Sequence, residues 1–98
     1  APHLTKDKES ACGCAGVFNA TYCLPILAQL FDNENSLSNL EKFISRNGAN
    51  HYKLKTNSET ILMVKSSEEL FFKQYLDIGK QKIKIFKPCF PVFWSVSN

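Results

Sequence analysis

The sequence has no apolar run approaching the ~18 residues that a membrane-spanning helix requires. Its opening, Ala1-Pro2-His3-Leu4-Thr5-Lys6-Asp7-Lys8-Glu9, lacks the apolar stretch of a secretory signal. Charge is close to balance, with 12 basic and 9 acidic side chains and a net of +3, which excludes the dense basic face of an ordinary nucleic-acid binder. No nucleophile elbow, phosphate-cradling glycine loop or paired-carboxylate spacing occurs, so the local signatures of the common hydrolytic and phosphoryl-transfer sites are missing. There is no internal repeat and no low-complexity tract. The cysteines, Cys12, Cys14, Cys23 and Cys89, form no C-x-x-C pair. With no secretion signal they read as reduced thiols of a cytoplasmic protein.

What remains is a chain of 98 residues, 44% hydrophobic, which supports one domain at most. A chain of this length buries only ~60–70% of its unfolded surface and is marginal by itself. Residues 10–16, Ser-Ala-Cys-Gly-Cys-Ala-Gly, are small and aperiodic and read as an ordered loop that lets a backbone approach closely. From Val17 to Phe31 the spacing predicts a helix. Val17, Ala20, Leu24, Leu27 and Phe31 form one apolar stripe, and Phe18, Tyr22, Ile26 and Leu30 form a second, with a kink at Pro25. A helix apolar on two sides needs neighbours on both, more than this length supplies.

A second helix is predicted after Asp32-Asn33-Glu34-Asn35, capped by Asn35 or Ser36, buried through Leu37, Leu40, Phe43 and Ile44, and stopped at Gly48. Thr60–Lys65 reads as a strand. Ser66 and Glu69 have capping-box spacing, which predicts a short helix over 68–75. Asp77-Ile78-Gly79 turns the chain, Lys82–Lys87 alternates as a strand with one wet face, and Val92–Val96 closes as a last strand.

Candidate chemistry is sparse. His3 stands beside the small-residue loop; His51 has no supporting neighbours. Cys12 and Cys14 suggest a small thiol or zinc-binding module, yet structural zinc takes ligands in two pairs, and Cys23 and Cys89 are singletons. Lys80, Lys82, Lys84 and Lys87 could meet a phosphate backbone, but such a strand is more commonly a solvated edge.

Ala1-Pro2-His3, then Lys8-Glu9-Ser10, then Cys12-Gly13-Cys14-Ala15-Gly16-Val17-Phe18-Asn19-Ala20 resembles the C-terminal part of class II dihydroorotases of the amidohydrolase superfamily. Asn47-Gly48, Tyr52-Lys53-Leu54, Asn57, Glu59-Thr60-Ile61 and Trp94-Ser95-Val96 extend the resemblance along the chain. It departs at Ala49–Lys55, where the family carries a glycine and two prolines absent here.

The resemblance implies an α/β fold: the C-terminal part of a (β/α)8 barrel, with the loop after the eighth strand and the closing helices in residues 1–48. A small extension with short strands, residues 49–98, would pack on that barrel. A whole barrel takes ~250 residues, so the remainder of the barrel is the expected partner. The implied enzyme is a zinc-dependent, cytoplasmic homodimer that reversibly cyclises N-carbamoyl-L-aspartate to L-dihydroorotate in pyrimidine biosynthesis. Its two zinc ions and their ligands lie outside this chain, which carries no catalytic or metal residue and is inactive alone. His3 corresponds to the histidine that holds the substrate carboxylate, and Ala15 to the residue whose backbone N–H binds the same end. No contact with nucleic acid or membrane is implied.

Overall fold

The computed structural model describes residues 3–11, 13 and 16–97. They form two compact units, 1–23 with 71–91 and 24–70 with 92–98.

In the first unit, a single helical turn, α1 (Thr5–Lys8), packs against β3 (Gln81–Lys84), which pairs with β2 (Tyr75–Ile78) in an antiparallel hairpin. Ile78 faces Gln81 across a two-residue turn, Gly79-Lys80. Gly79 takes φ +60°, the conformation that the first position of a type II′ turn demands, and glycine adopts it without strain. The predicted strand is therefore present over Gln81–Lys84. Beyond it, Ile85 bridges Phe18 in parallel, and the Phe86 N–H donates to the Phe18 carbonyl at 2.8 Å. Ile85 and Phe72 are buried, and the Tyr22 ring lies 4.5 Å from that of Phe72. The Tyr22 hydroxyl accepts from the Lys73 N–H at 3.0 Å.

These contacts correct the first predicted helix. Phe18 is committed to the bridge and residues 20–22 to a turn, and α2 runs only over Cys23–Asn33. The later start also resolves Pro25. In a helix from Val17 its ring would press on the carbonyl four residues back; in α2 it sits in the first turn, where its missing N–H has no helical partner to lose.

The second unit carries α2, a 3-10 turn (Leu37–Asn39), a π-helical stretch (Lys42–Arg46) and α3 (Asn47–His51). Both helical runs end the same way. Asn35 takes φ +55°, with the Ser36 N–H on the Phe31 carbonyl at 2.7 Å and the Asn35 N–H on Asp32 at 3.0 Å. Lys53 repeats this at φ +55°, with Leu54 on Ala49 at 2.8 Å and Lys53 on Asn50 at 3.3 Å. These are Schellman closures. Gly48 is thus passed by rather than used as the stop. Ser36 precedes the 3-10 turn but caps nothing; its hydroxyl donates to the Glu34 carbonyl.

β1 (Met63–Lys65) pairs antiparallel with β4 (Trp94–Val96). No helix follows at 68–75. The Ser66 N–H donates to the Phe93 carbonyl and the Leu70 N–H to that of Val92, at 2.8 and 2.7 Å, so this backbone is already engaged by the last strand segment. Ser66 Oγ accepts from Glu68 in a local turn instead of capping a helix. Buried Gln29 ties α2 to this segment, since its Oε1 accepts from the Phe93 N–H at 2.8 Å while Nε2 donates to Asn33 Oδ1 at 2.8 Å. Every polar atom of that side chain has a partner of suitable chemistry.

Asp32 forms the second tie. Its Oδ2 accepts from Lys65 Nζ at 2.7 Å and from the Trp94 indole at 3.1 Å. The Lys65 hydrogen bond first, and the Trp94 hydrogen bond next, hold the carboxyl below its ordinary value of 3.8. A folded value below the unfolded one stabilises above the ordinary pKa and is lost as pH falls through the depressed folded value. Protection factors for hydrogen exchange at Phe93–Val96 in the complete protein, with the intrinsic pH dependence of exchange divided out, are accordingly expected to fall as pH drops below that range. Asp32→Asn should remove most of this acid sensitivity; equal acid sensitivity in wild type and variant would contradict the assignment.

Burial is the part that departs most from expectation. The buried hydrophobic residues are Ala28, Phe72, Ile85 and Val92, against fourteen large hydrophobic residues left exposed. Phe43 is 59% and Ile44 40% exposed, although the sequence pattern assigned both to a buried face. Phe31 meets Phe43 at 5.2 Å between ring centroids, but nothing among the described residues covers the other side. The apolar pattern is intact; these residues supply only one side of the packing.

Candidate functional site

The candidate site lies at the head of the first unit. His3 is half-buried and immediately precedes α1. At the other end of α1, the Lys8 ammonium donates to the Gly16 carbonyl, spanning eight positions. Within the loop so closed, the Ser10 hydroxyl donates to the Asp7 carbonyl at 2.6 Å and the Gly13 N–H to the Ser10 carbonyl at 3.0 Å. Gly13 takes φ +56°, a conformation that a side chain would strain. A charged donor thus reaches Gly16, and a turn links Ser10 to Gly13.

Ala15, Cys12 and Cys14 lie outside the described residues. Of the two substrate-binding candidates, the structure therefore locates His3, on the same unit as the tethered loop and at the opposite end of α1 from Lys8. Sequence reasoning missed the tether. Its only signal was the Lys8-Glu9-Ser10 spelling, which matched the resemblance without disclosing a role.

The remaining candidates sit apart. His51 is exposed and meets the neighbouring Tyr52 ring edge-on at 4.8 Å. Cys23 is half-buried, Cys89 is exposed, and both are free thiols. Among the described residues, no three His, Cys, Asp or Glu side chains converge as metal ligands. Lys82 is placed over the Tyr75 ring, 4.3 Å from its centroid, and opposite Asp77 in the hairpin, so it does not extend a continuous basic face. No helix among the described residues is long and apolar enough to cross a membrane.

No family model matches the chain. Curated relatives do. A protein named dihydroorotase from Agrobacterium fabrum is 41% identical over 97 residues, which is 99% of this chain and 28% of the relative. One of the same name from Chelativorans sp. is 42% identical over all 98 residues, again 28% of its length. The chain is similar to dihydroorotases. It spans a little over a quarter of these relatives' length and corresponds to their C-terminal part. Among solved structures, dihydroorotase from Saccharomyces cerevisiae in complex with 5-fluoroorotic acid superposes with a TM-score of 0.79 at 33% identity. That match covers 99% of this chain and 28% of the yeast dihydroorotase. The expected similarity thus extends along 99–100% of the sequence.

Proposed function

We propose that this chain is the substrate-carboxylate-binding segment of a zinc-dependent dihydroorotase, which reversibly cyclises N-carbamoyl-L-aspartate to L-dihydroorotate in the cytoplasm. The observation that carries the reading is the full-length match, near 40% identity, to the C-terminal part of dihydroorotases. On this reading residues 1–48 close the (β/α)8 barrel and 49–98 extend from it. That division follows barrel membership and not compactness. The exposed apolar residues of the second unit, Phe43, Leu54, Ile61 and Leu62 among them, support a large covering partner, the remainder of the enzyme, which assembles as a homodimer.

The zinc ions activate water and polarise the amide carbonyl when bound. The described residues do not fit as their ligands, and we assign zinc binding to the remainder. What this chain does is bind and orient. His3 donates to the substrate carboxylate, a charge-assisted bond stronger than a neutral one. The Ala15 N–H donates to the same end. Lys8 is a positioning residue: by gripping the Gly16 carbonyl it fixes the backbone next to Ala15 before substrate arrives, so less ordering is left for binding to supply.

The test uses the complete enzyme carrying this segment. Zinc-dependent conversion of N-carbamoyl-L-aspartate is expected, and its absence in the metal-loaded protein would overturn the reading. Lys8→Met should raise KM about fivefold, on the order of 1 kcal/mol for ordering that the substrate must then supply, with kcat changed less. Lys8→Arg should recover most of the loss. A fall in kcat at unchanged KM would contradict the positioning role.

A further inference from the structure

The first unit contains a cleft of about 420 Å³. Lysines from separate stretches of sequence line it: Lys8 at the end of α1, Lys73 before β2, Lys84 at the end of β3, and Lys87 beyond. No aspartate or glutamate is among its lining residues. The ion pairs among the described residues, Arg46 with Glu41 and Lys65 with Asp32, involve none of these lysines. Lys82, one position from the cleft strand's end pair, provides the contrast, being opposite Asp77 and over an aromatic ring. Like charges lining one cleft repel unless an anion joins them, and bulk salt screens them only in part.

The walls are aromatic. Phe18 is half-buried and Phe86 is 40% exposed, and the backbones of these two residues are hydrogen-bonded to each other. Buried Ile85 and Phe72 form the floor. A small inorganic anion would use the lysines and leave the rings wet. A ligand with several negative charges and a flat ring uses both, because an aromatic side chain stacks on a base while ammonium groups hold phosphate. The volume lies within the usual span of small-molecule sites, about 300–1,000 Å³.

We infer that this cleft binds a mononucleotide-type ligand, its phosphates on Lys73, Lys84 and Lys87 and its base against Phe18 and Phe86. The assignment is independent of the carboxylate-binding role of His3. Isothermal titration of the complete enzyme tests it, with ATP and inorganic tripolyphosphate as probes. ATP is expected to bind saturably and at least fivefold tighter than tripolyphosphate. Lys84→Ala with Lys87→Ala should weaken ATP at least tenfold while turnover persists, and the double arginine replacement should keep ATP affinity within threefold. Lys87 lies outside the strands, so Lys87→Ala alone carries the comparison if the double variant does not fold. Absence of saturable ATP binding, equal affinity for both probes, or unchanged ATP affinity in the alanine variant would each overturn the inference. The last result would assign the ATP to another site.

Discussion

Purified without the rest of the enzyme, the 98-residue chain is expected to show no zinc-dependent turnover of N-carbamoyl-L-aspartate and to take up no stoichiometric zinc. The reason is geometric before it is chemical. A (β/α)8 site draws its groups from the ends of several strands of a ~250-residue barrel, and this chain spans 28% of the relatives it matches. Among the described residues no ligand set converges. The packing agrees: among the described residues fourteen large hydrophobic residues are exposed, against Phe72, Ile85 and Val92 buried, a balance that leaves much of the apolar area without the burial that stabilises a fold. Co-expression with the remainder of the enzyme should restore turnover and give a complex that survives purification. Zinc analysis and a turnover assay on both samples check this. Zinc-dependent cyclisation by the lone chain would contradict it.

His3→Ala in the complete enzyme should raise KM by about ten- to 150-fold, the equivalent of ~1.5–3 kcal/mol for a hydrogen bond to a charged group. The residue is half-buried at the start of α1, so truncation removes a donor without opening a core. The effect should therefore appear in substrate binding and not in thermal stability. His3→Gln, which keeps a donor of similar reach, should fall between wild type and alanine. Steady-state kinetics with full zinc loading separates the cases, and an unchanged KM in His3→Ala would remove His3 from the binding site.

Local rules carried much of the fold. The chain reversal at Gly79 follows from glycine geometry, although Asp77 and Ile78, expected in the turn, belong to β2; the lysine-rich and closing strands follow from period-two patterning and are present in part, over Gln81–Lys84 and Trp94–Val96. Where local rules failed, a distant partner had taken the backbone. Phe18 pairs with Ile85, and the capping-box segment is held by Val92 and Phe93, contacts that no window of neighbouring residues contains. Lys53 shows a different limit, since a left-handed lysine at a helix end carries no compositional mark. The same division holds at the site. His3 and Ala15 are candidates through resemblance alone, because a lone imidazole and a backbone amide have no spacing signature. The Lys8 tether and the meeting of four lysines needed coordinates, as each joins residues far apart in sequence.

The central claim is that the head of this chain grips the substrate's carboxylate while the metal ions are held elsewhere. Its most direct test is the dissociation constant of 5-fluoroorotate, the compound bound by the yeast relative, measured together with zinc content in wild type and His3→Ala complete enzyme. The predicted result is affinity weakened about tenfold or more with zinc per site unchanged. Unchanged affinity, or weakened affinity accompanied by loss of zinc, would contradict it.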